Sequence, residues 1–437
     1  MSDQNAQSIA YVRDTMLPEQ DPPAAQRGVI KWIRENLVSS WLNGVLTLLS
    51  LFLIYYVLSH ILPWFWHTVW NADSLGECRE IREATWGDVP SACFAVIRER
   101  WTQLVFGFYP PEHYWRPVLA LILFFVAIAP VLYSELPRKM LAFSAAFPFL
   151  GFWLLWGGSI WLPIAIALGF VSGYYAMNIV GNAVSSLLGF IAAVVIPIIY
   201  WLFLAGPLAG ALHSILPIGI EFIASKEFGG FQLSIVIGVV SIILSLPLGI
   251  LLALGRQSNL FLINKVSVIF IETIRGVPLI VWLFTASLLL NYFLPPGTNF
   301  DLVLRVIIMV TLFSSAYIAE VIRGGLAALP RGQYEAADSL GLDYWKAQRL
   351  IIMPQALKIS IPGIVNTFIG LFKDTVLVVF IGLLDPIGFS NSIRANAAWN
   401  GIYWELFVFI GALFWVCCFS MSRYSQYLER KLRTDHH

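Results

Sequence analysis

Ten apolar runs dominate the chain, and each is long enough to form a membrane-spanning helix, which takes about 20 apolar residues. The first extends from about Leu37 to Trp66, and the others centre on 117–133, 140–157, 159–177, 186–206, 230–254, 266–293, 302–322, 355–384 and 403–422. The run 159–177 contains Gly169 and Gly173, so a re-entrant segment is the alternative there. The pattern predicts an all-α polytopic membrane protein with five spans before residue 230 and five after it.

Composition supports a lipid-embedded chain. Of the 437 residues 58% are apolar and only 12% charged, whereas a soluble domain is about half apolar and roughly a quarter charged. The 27 basic and 26 acidic residues nearly cancel, which disfavours a nucleic-acid partner. No short apolar core with a cleavage site follows Met1, so no signal peptide is expected.

The Lys/Arg distribution predicts the orientation, because short cytoplasmic loops are rich in these residues. The basic residues Arg138, Lys139, Arg256 and Lys265 and those of 323–358 all fall on one side, as do both tails. We therefore expect a multi-pass membrane protein with both termini in the cytoplasm. If the run 159–177 alone did not span the membrane, the basic loops 255–265 and 323–358 would lie on the outer side, so that run is kept as a span.

Three regions follow from this topology: a cytoplasmic tail (1–36), an N-terminal membrane extension (37–229) and a five-helix core (230–433). The extension contains one long outer loop, 67–115, with seven acidic residues. Cys78 and Cys93 lie in this loop, and on an oxidising face of the membrane they can form a disulfide; two unpaired thiols are the alternative.

Motifs for covalent chemistry are missing from the sequence. It has no phosphate loop ending in Gly-Lys-Ser/Thr, no His-Glu-x-x-His and no Gly-x-Ser-x-Gly. The six histidines do not cluster at ligand spacing, apart from His436 and His437 at the terminus. We expect no metal site, no cofactor in this chain and no catalytic activity.

The cytoplasmic stretch 323–354 carries the most information. Pro330 ends the preceding helix, Gln333–Ser339 has good helix formers, and Gly341 breaks this short helix. Asp343 can cap a second helix, and Pro354 and Pro362 are expected to mark the boundary of that helix with the membrane. The pattern predicts two short helices at an angle that a partner protein could grip; an amphipathic helix lying on lipid is the alternative.

The residues of this stretch resemble a known signature. Glu335-Ala336-Ala337, three residues, Gly341, nine residues, Ile351, one residue and Met353-Pro354 match the EAA motif of permease subunits of bacterial ABC importers, with Met353 where leucine is usual. Flanking blocks such as IETIRGVPLI (271–280) and IPGIVNTFIGLFKDTVLVVFIGL (361–383) look like the histidine-permease-like family for polar amino acids. The long extension resembles the general L-amino-acid permeases, including those for glutamate, glutamine, aspartate and asparagine.

The resemblance covers about 228–433 and implies a type I importer core with cytoplasmic coupling helices in 333–354. It implies a homologous permease as partner in a heterodimer, two ATP-binding subunits that carry ATP and Mg²⁺, and a periplasmic amino-acid-binding protein. Contact with the ATPase is implied for the EAA segment, defined by Glu335, Ala336, Ala337, Gly341 and Pro354.

Charges inside the predicted spans are candidates for the substrate pathway, because ionisable groups in a membrane normally face a bundle interior or a wet cavity. Glu272 and Arg275 lie three residues apart and can pair with each other, so a structural ion pair is the alternative. Glu320 and Arg323 have the same spacing near a helix end and are assigned to a gate or its support.

Lys373 and Asp374 interrupt an apolar run after Asn366 and Gly370. Adjacent residues on a helix do not face one another, so each needs another partner or a helix break between them. Pathway lining is one interpretation for Asn366, Lys373 and Asp374, and a structural link to the neighbouring permease is the other. An ion-coupled secondary amino-acid transporter, or a membrane scaffold without a pathway, is the rival function for the whole chain.

Overall fold

The computed structural model describes residues 28–133, 135–289, 292 and 301–432, and helices dominate these ranges. The predicted tail therefore lies outside the described residues up to position 27, as do Arg433 and the terminal His436 and His437. The helices before residue 230 are α1 (Gly28–Asn36), α2 (Trp41–Trp66), α3 (Leu75–Trp86), α4 (Ala95–Phe106), α5 (Trp115–Leu132), α6 (Leu141–Trp156), α7 (Trp161–Ala183), α8 (Ser186–Phe203) and α9 (Ala205–Ile215).

Nine helices follow residue 230. They are α10 (Gly230–Gln257), α11 (Phe261–Arg275), α12 (Leu279–Phe284), α13 (Leu302–Ala327), α14 (Arg331–Ser339), α15 (Tyr344–Ala347), α16 (Met353–Asp374), α17 (Pro386–Ala395) and α18 (Trp404–Leu432). These nine are the α-helices within the described part of this region. Strands β1 (Gly158–Ser159) and β2 (Gly219–Ile220) form an antiparallel pair in which Gly158 is opposite Ile220.

The predicted all-α membrane architecture is confirmed. In the described part of the chain, eight helices are long and apolar enough to cross a membrane, and ten spans result if each of two bent helix pairs is counted as one. The pairs are α8 with α9, bent by 52°, and α11 with the helical stretch Leu279–Leu289, bent by 101°. Most of the doubtful run 159–177 lies in the continuous 23-residue helix α7, whereas Ser159 belongs to β1. The end of the predicted span 266–293 lies outside the described residues from position 290, apart from 292.

The chain forms two compact units. The first comprises Met1–Val69 and Arg79–Ala92. Its main element is α2, which Ser40 caps by accepting a hydrogen bond from the Asn43 amide. Within the described chain α2 has no buried residue, as expected for an apolar helix whose solvent is lipid.

The second unit comprises Trp70–Cys78 and Cys93–His437. Its centre is α10 packed along α13 in a parallel direction, with the Ser241 hydroxyl donating to the Ile307 carbonyl at 3.4 Å. Close approach requires a glycine at position 249, since a Cβ there would lie 2.6 Å from the Ile318 side chain. We call the end of this bundle near α14 the EAA end, and the end where α10 and α13 begin the far end.

Helix α16 packs antiparallel against α13, where Gly363 faces Val321. Two apolar clusters result. One joins Leu254, Ile322 and Met353 near the EAA end, and the other joins Leu233, Val306 and Val378 towards the far end. Because lipid is as apolar as these side chains, close van der Waals packing is the main stabilising contribution that the helix contacts make within the membrane.

Residues of the N-terminal extension belong to the far-end cluster. Phe106 and Tyr109, at and after the end of α4, pack with Phe228 and Leu233. Helix α4 contacts α10, α17 and α18. Sequence alone placed a boundary at 229/230, whereas the packing of apolar side chains continues across it.

No helix end marks the predicted boundary at Pro354 and Pro362. A π-helical turn, Gln348–Ile352, leads from α15 directly into α16, so the helical path continues from Tyr344 to Ile381. Pro354 lies directly after this π-helical turn, where the hydrogen-bond pattern changes, and the helix accommodates its missing N–H at that point. Pro362 lies inside α16. The first short helix, α14, forms as expected, but the second is the beginning of a long one.

Candidate functional site

Five charged side chains meet at the EAA end of α10, α11 and α13. Glu320 is the centre: its carboxylate lies 2.8 Å from Arg256, 3.1 Å from Arg323 and 3.6 Å from Arg275. Arg256 also binds Glu272 at 2.8 Å. The structure thus pairs Glu272 with Arg256 and Arg275 with Glu320, instead of forming the i, i+3 pair that the sequence allowed between Glu272 and Arg275.

Burial differs sharply within this charge cluster. The Glu320 side chain is 16% exposed, while that of Glu272 is 54% exposed. An exposed ion pair contributes little because water competes for both charges. Glu320 is therefore the carboxylate that holds the three helices together, and Glu272 is the more dispensable partner. Arg256 was missed as a candidate; the only signal in the sequence was its position at the end of an apolar run.

A cavity of about 270 Å³ opens between α12, α13 and α16. Asp374 is its charged lining residue, at the C-terminal end of α16. The other lining residues are Leu279, Phe313, Ser314, Tyr317, Thr367, Gly370 and Leu371. Most of the wall is apolar, and one carboxylate and three hydroxyl groups supply directional contacts, which is the usual character of a small-molecule site.

The cavity and the charge cluster are connected through Tyr317. Its ring lines the cavity and also lies under the Arg275 guanidinium, 5.4 Å from ring centroid to Cζ. The Ser314 side chain is buried, and its hydroxyl has no hydrogen-bond partner among the described residues. A buried unpaired hydroxyl costs free energy, so a polar ligand or water in the cavity would stabilise this position.

The other predicted pathway residues of α16 face elsewhere. Asn366 and Lys373 are exposed, whereas Asp374 is half-buried. No helix break separates Lys373 from Asp374: α16 continues through both, and the change to a 3-10 helix comes at Thr375. Neighbouring positions on one helix point about 100° apart, which explains why only one of the two charges reaches the cavity.

The EAA segment forms a compact helical turn. Gly341 has φ +66°, a left-handed conformation that favours glycine, and it separates α14 from α15 as predicted. Asp343 caps α15 by accepting a hydrogen bond from the Lys346 amide at 3.0 Å. This bond and the Lys346 side chain lower the pKa of Asp343. Glu335 and Ala336 are exposed, but Ala337 is 1% exposed and packs within this chain.

Large apolar side chains surround the exposed part of α14. They are Leu340, Tyr344, Trp345 and Leu350, each more than half exposed. The exposed carboxylates Glu335 and Asp338 lie beside them. Contiguous exposed apolar groups with a charged rim are typical of a protein–protein contact.

The far end is stabilised by bonds between the outer loop and the core. Cys78 and Cys93 form a disulfide with Cα atoms 6.0 Å apart. The Cys93 amide donates to Glu405 at 2.9 Å, and the Trp399 indole donates to Glu99 at 2.9 Å. Among the described residues, no group of three or more His, Cys, Asp or Glu side chains is arranged to hold a metal ion.

The profile of one protein family matches residues 245–434: binding-protein-dependent transport system inner membrane component. Among individual proteins, a glutamate/glutamine/aspartate/asparagine transport system permease protein, BztC of Rhodobacter capsulatus, is 56% identical over 433 residues, 98% of this chain and 99% of the relative. The inner membrane amino-acid ABC transporter permease protein YhdY of Escherichia coli is 39% identical, over 92% of this chain and 93% of its own length.

Shorter relatives match the core alone. A probable glutamine ABC transporter permease protein of Bacillus subtilis is 32% identical over 202 residues, which are 46% of this chain and 90% of that protein. Among solved structures, an amino acid ABC transporter crystallised with histidines shares 32% identity with a TM-score of 0.41, covering 46% of this chain and 90% of that chain.

Proposed function

The chain belongs to the family of amino-acid ABC transporter permeases, and from this premise we propose that it is the permease subunit of an ATP-driven importer for amino acids of the glutamate, glutamine, aspartate and asparagine class. As in its family, it is a non-catalytic transport subunit. In this proposal it lines the translocation pathway, and a periplasmic binding protein delivers the substrate to it.

The cavity at Asp374 is the observation that carries the proposal. It lies beside the middle of α13, about 20 Å along the helix axis from the end of α13 at Ala327. A half-buried carboxylate among apolar and hydroxyl-bearing side chains suits the ammonium group that every amino acid carries. Arg275, reached through Tyr317, suits the carboxylate of the same molecule.

A second, homologous permease would complete the pathway as the partner in a heterodimer. Among the described residues the cavity is lined from α12, α13 and α16, and it is open towards the surface of this chain. Asn366 and Lys373 are exposed on the same helix as Asp374, and we assign them to contacts with the second permease or to the shared pathway. Glu320 and Arg323 would then support the gate at the EAA end.

Coupling to ATP hydrolysis is assigned to α14. The sequence has no phosphate loop, so ATP and Mg²⁺ would bind to separate ATPase subunits. The exposed carboxylates and apolar side chains around α14 offer these subunits a contact surface. This assignment puts the EAA end and both termini in the cytoplasm and the far end in the periplasm, in agreement with the Lys/Arg distribution.

Uptake of amino acids by the reconstituted complex tests the pathway assignment. Asp374→Asn should lower uptake at least tenfold, because a charge-assisted hydrogen bond in a partly buried site contributes about 1.5–3 kcal/mol. Binding-protein-stimulated ATP hydrolysis should persist. Asp73→Asn, whose side chain is 95% exposed, is the matched control and should leave uptake unchanged. Unaltered uptake by both Asp374→Asn and Lys373→Ala would remove these residues from the pathway.

The ATPase assignment is tested separately. Gly341→Asp puts a side chain on a backbone with positive φ and should reduce co-purification of the ATPase subunits or uncouple ATP hydrolysis from uptake. Gly332→Asp adds the same charge to α14, in open space and without positive φ, and should have a smaller effect. An ion-coupled carrier is the alternative, and uptake driven by an ion gradient without any ATPase would favour it.

A further inference from the structure

A second cavity, of about 370 Å³, lies at the far end of the core. Its polar wall is formed by Ser225 and Lys226, which precede α10, and by Asp301, which precedes α13. The remaining lining residues are Phe108, Phe228, Leu302, Val303, Gly382, Leu383 and Leu384. Phe108, Ser225, Lys226 and Phe228 belong to the N-terminal extension and the other lining residues to the core, so extension and core build this cavity together.

The cavity is lined by one cationic side chain, Lys226, and one anionic side chain, Asp301, and these two do not form an ion pair with each other. In the described part of the chain, neither Lys226 nor Asp301 takes part in an ion pair within 4.0 Å. Asp301 uses one carboxylate oxygen, Oδ1, to accept a hydrogen bond from the Leu304 amide at 3.0 Å and so caps α13. Its charge and second oxygen stay available to a ligand, as does the Lys226 ammonium.

A ligand that matches these groups has an anionic and a cationic end close together. The zwitterion of an α-amino acid has this pattern, with its carboxylate for Lys226 and its ammonium for Asp301. Side chains of Phe108 and Phe228 supply an apolar wall, and the Ser225 side chain offers a hydroxyl group. The volume is within the range of about 300–1,000 Å³ that small-molecule sites have.

This cavity is separate from the one at Asp374. Along α13, Val303 lines the far-end cavity and Phe313 lines the Asp374 cavity, ten residues or about 15 Å apart. Val306 and Val310 fill the helix face between them and are at most 2% exposed. An amino acid in the far-end cavity is therefore held behind an apolar barrier before it reaches Asp374.

We propose that the far-end cavity is a receiving site for zwitterionic amino acids, in which Lys226 binds the α-carboxylate and Asp301 the α-ammonium. This inference rests on the proposed importer function and adds a first substrate-binding site to its pathway. It also gives the N-terminal extension (37–229) a direct part in substrate binding, through Lys226 and Phe108.

Ligand analogues that lack one charge test the assignment. The assembled complex is placed in lipid nanodiscs and carries Asp374→Asn, which weakens binding in the cavity at Asp374. It is titrated with glutamine, with glutaramate, which lacks the ammonium group, and with 4-aminobutanamide, which lacks the carboxylate. Binding is measured by saturation-transfer NMR. We expect glutamine to bind about fivefold more tightly than either analogue, in line with the modest strength of ion pairs at accessible sites.

Each substitution should remove the preference for glutamine over one analogue and keep the preference over the other analogue. Lys226→Met should abolish the preference over 4-aminobutanamide, and Asp301→Asn, which still caps α13, should abolish the preference over glutaramate. Glu227→Gln, a neighbour outside the lining, is the control and should keep both. In Lys226→Cys, alkylation with an aminoethyl reagent should restore the lost preference, whereas a sulfonatoethyl reagent should not.

Two results would overturn the proposal, and they are distinguishable from failure of the importer function. Uptake by the unmodified complex with both preferences unchanged in Lys226→Met and Asp301→Asn would leave the importer intact and remove the receiving site. Reduced uptake without any change in analogue preference would assign the two residues to contacts with another protein. Absence of uptake by the unmodified complex would instead count against the importer function itself.

Discussion

Replacing Glu320 with glutamine removes the carboxylate that three guanidinium groups share. Arg256, Arg275 and Arg323 all lie within 3.6 Å of Glu320, so the substitution leaves three cations close together with no central anion. Glutamine has nearly the same size, so the loss is electrostatic. We expect Glu320→Gln to destabilise the chain more than any other removal of one charge from the cluster.

The magnitude follows from burial. Exposed ion pairs contribute about 0.2–1 kcal/mol, and removal of one partner from a buried pair costs about 3–5 kcal/mol. Glu320 is 16% exposed, which puts the expected loss between these limits, at about 2 kcal/mol. Glu272 has the same 2.8 Å distance to Arg256 but is 54% exposed, so Glu272→Gln should cost at most about 0.5 kcal/mol.

Unfolding of the purified chain in mixed micelles measures both losses. A double-mutant cycle with Arg256→Gln isolates the coupling of Arg256 to each carboxylate. The coupling to Glu320 should survive about 0.5 M salt, while the coupling to Glu272 should vanish because exposed charges are screened. Equal losses for Glu320→Gln and Glu272→Gln, or equal salt dependence, would refute the argument from burial.

Three further predictions concern single positions. Burial raises the pKa of Asp385, between two candidate spans, to about 6, so the folded chain binds this proton more tightly than the unfolded chain. The free energy of unfolding should therefore fall by about 2 kcal/mol as pH rises from 4 to 6. Asp385→Asn, which still caps α17, should flatten this profile in pH-dependent melting. Gly341→Ala should destabilise the EAA turn by about 1 kcal/mol because φ is +66°, measurable as faster hydrogen exchange in α14. Cys78→Ser with Cys93→Ser opens a loop with a sequence separation of 15 and should cost about 3 kcal/mol, and reduction of the unmutated chain should reproduce that loss.

Local signals in the sequence predicted much of the fold. Apolar runs located the helices because each span satisfies its own backbone within lipid. Gly341 and Asp343 were placed correctly because a left-handed turn and a helix cap depend on a few neighbouring residues. Pro354 was misjudged because the effect of a proline depends on the local helix geometry. Here the proline, which has no N–H to donate, lies where a π-helical turn changes into α-helix, and the helix continues past it.

Contacts between distant segments could not be predicted in this way. Arg256 joins Glu320 because the packing of α10 against α13 brings these two side chains together, which no spacing within one helix encodes. Asp374 lines the cavity and Lys373 does not, and this difference likewise depends on the rotation of α16 against α13. Tyr317 and Ser314 had no motif to mark them and are recognised only as neighbours of Asp374.

The bonds between α4 and the core also set an order of events during synthesis. Cys93 and Glu405 are 312 residues apart in sequence, and Glu99 and Trp399 are 300 apart. At about 5–20 residues per second, translation takes roughly 15–60 s to supply these partners. During that time the Cys93 amide and the apolar end of α4 lack their final neighbours. Cys78 is much closer in sequence and has already been synthesised. Early disulfide formation would tie the start of α4 to α3 during this interval, and α18 would contact α4 once it has been made.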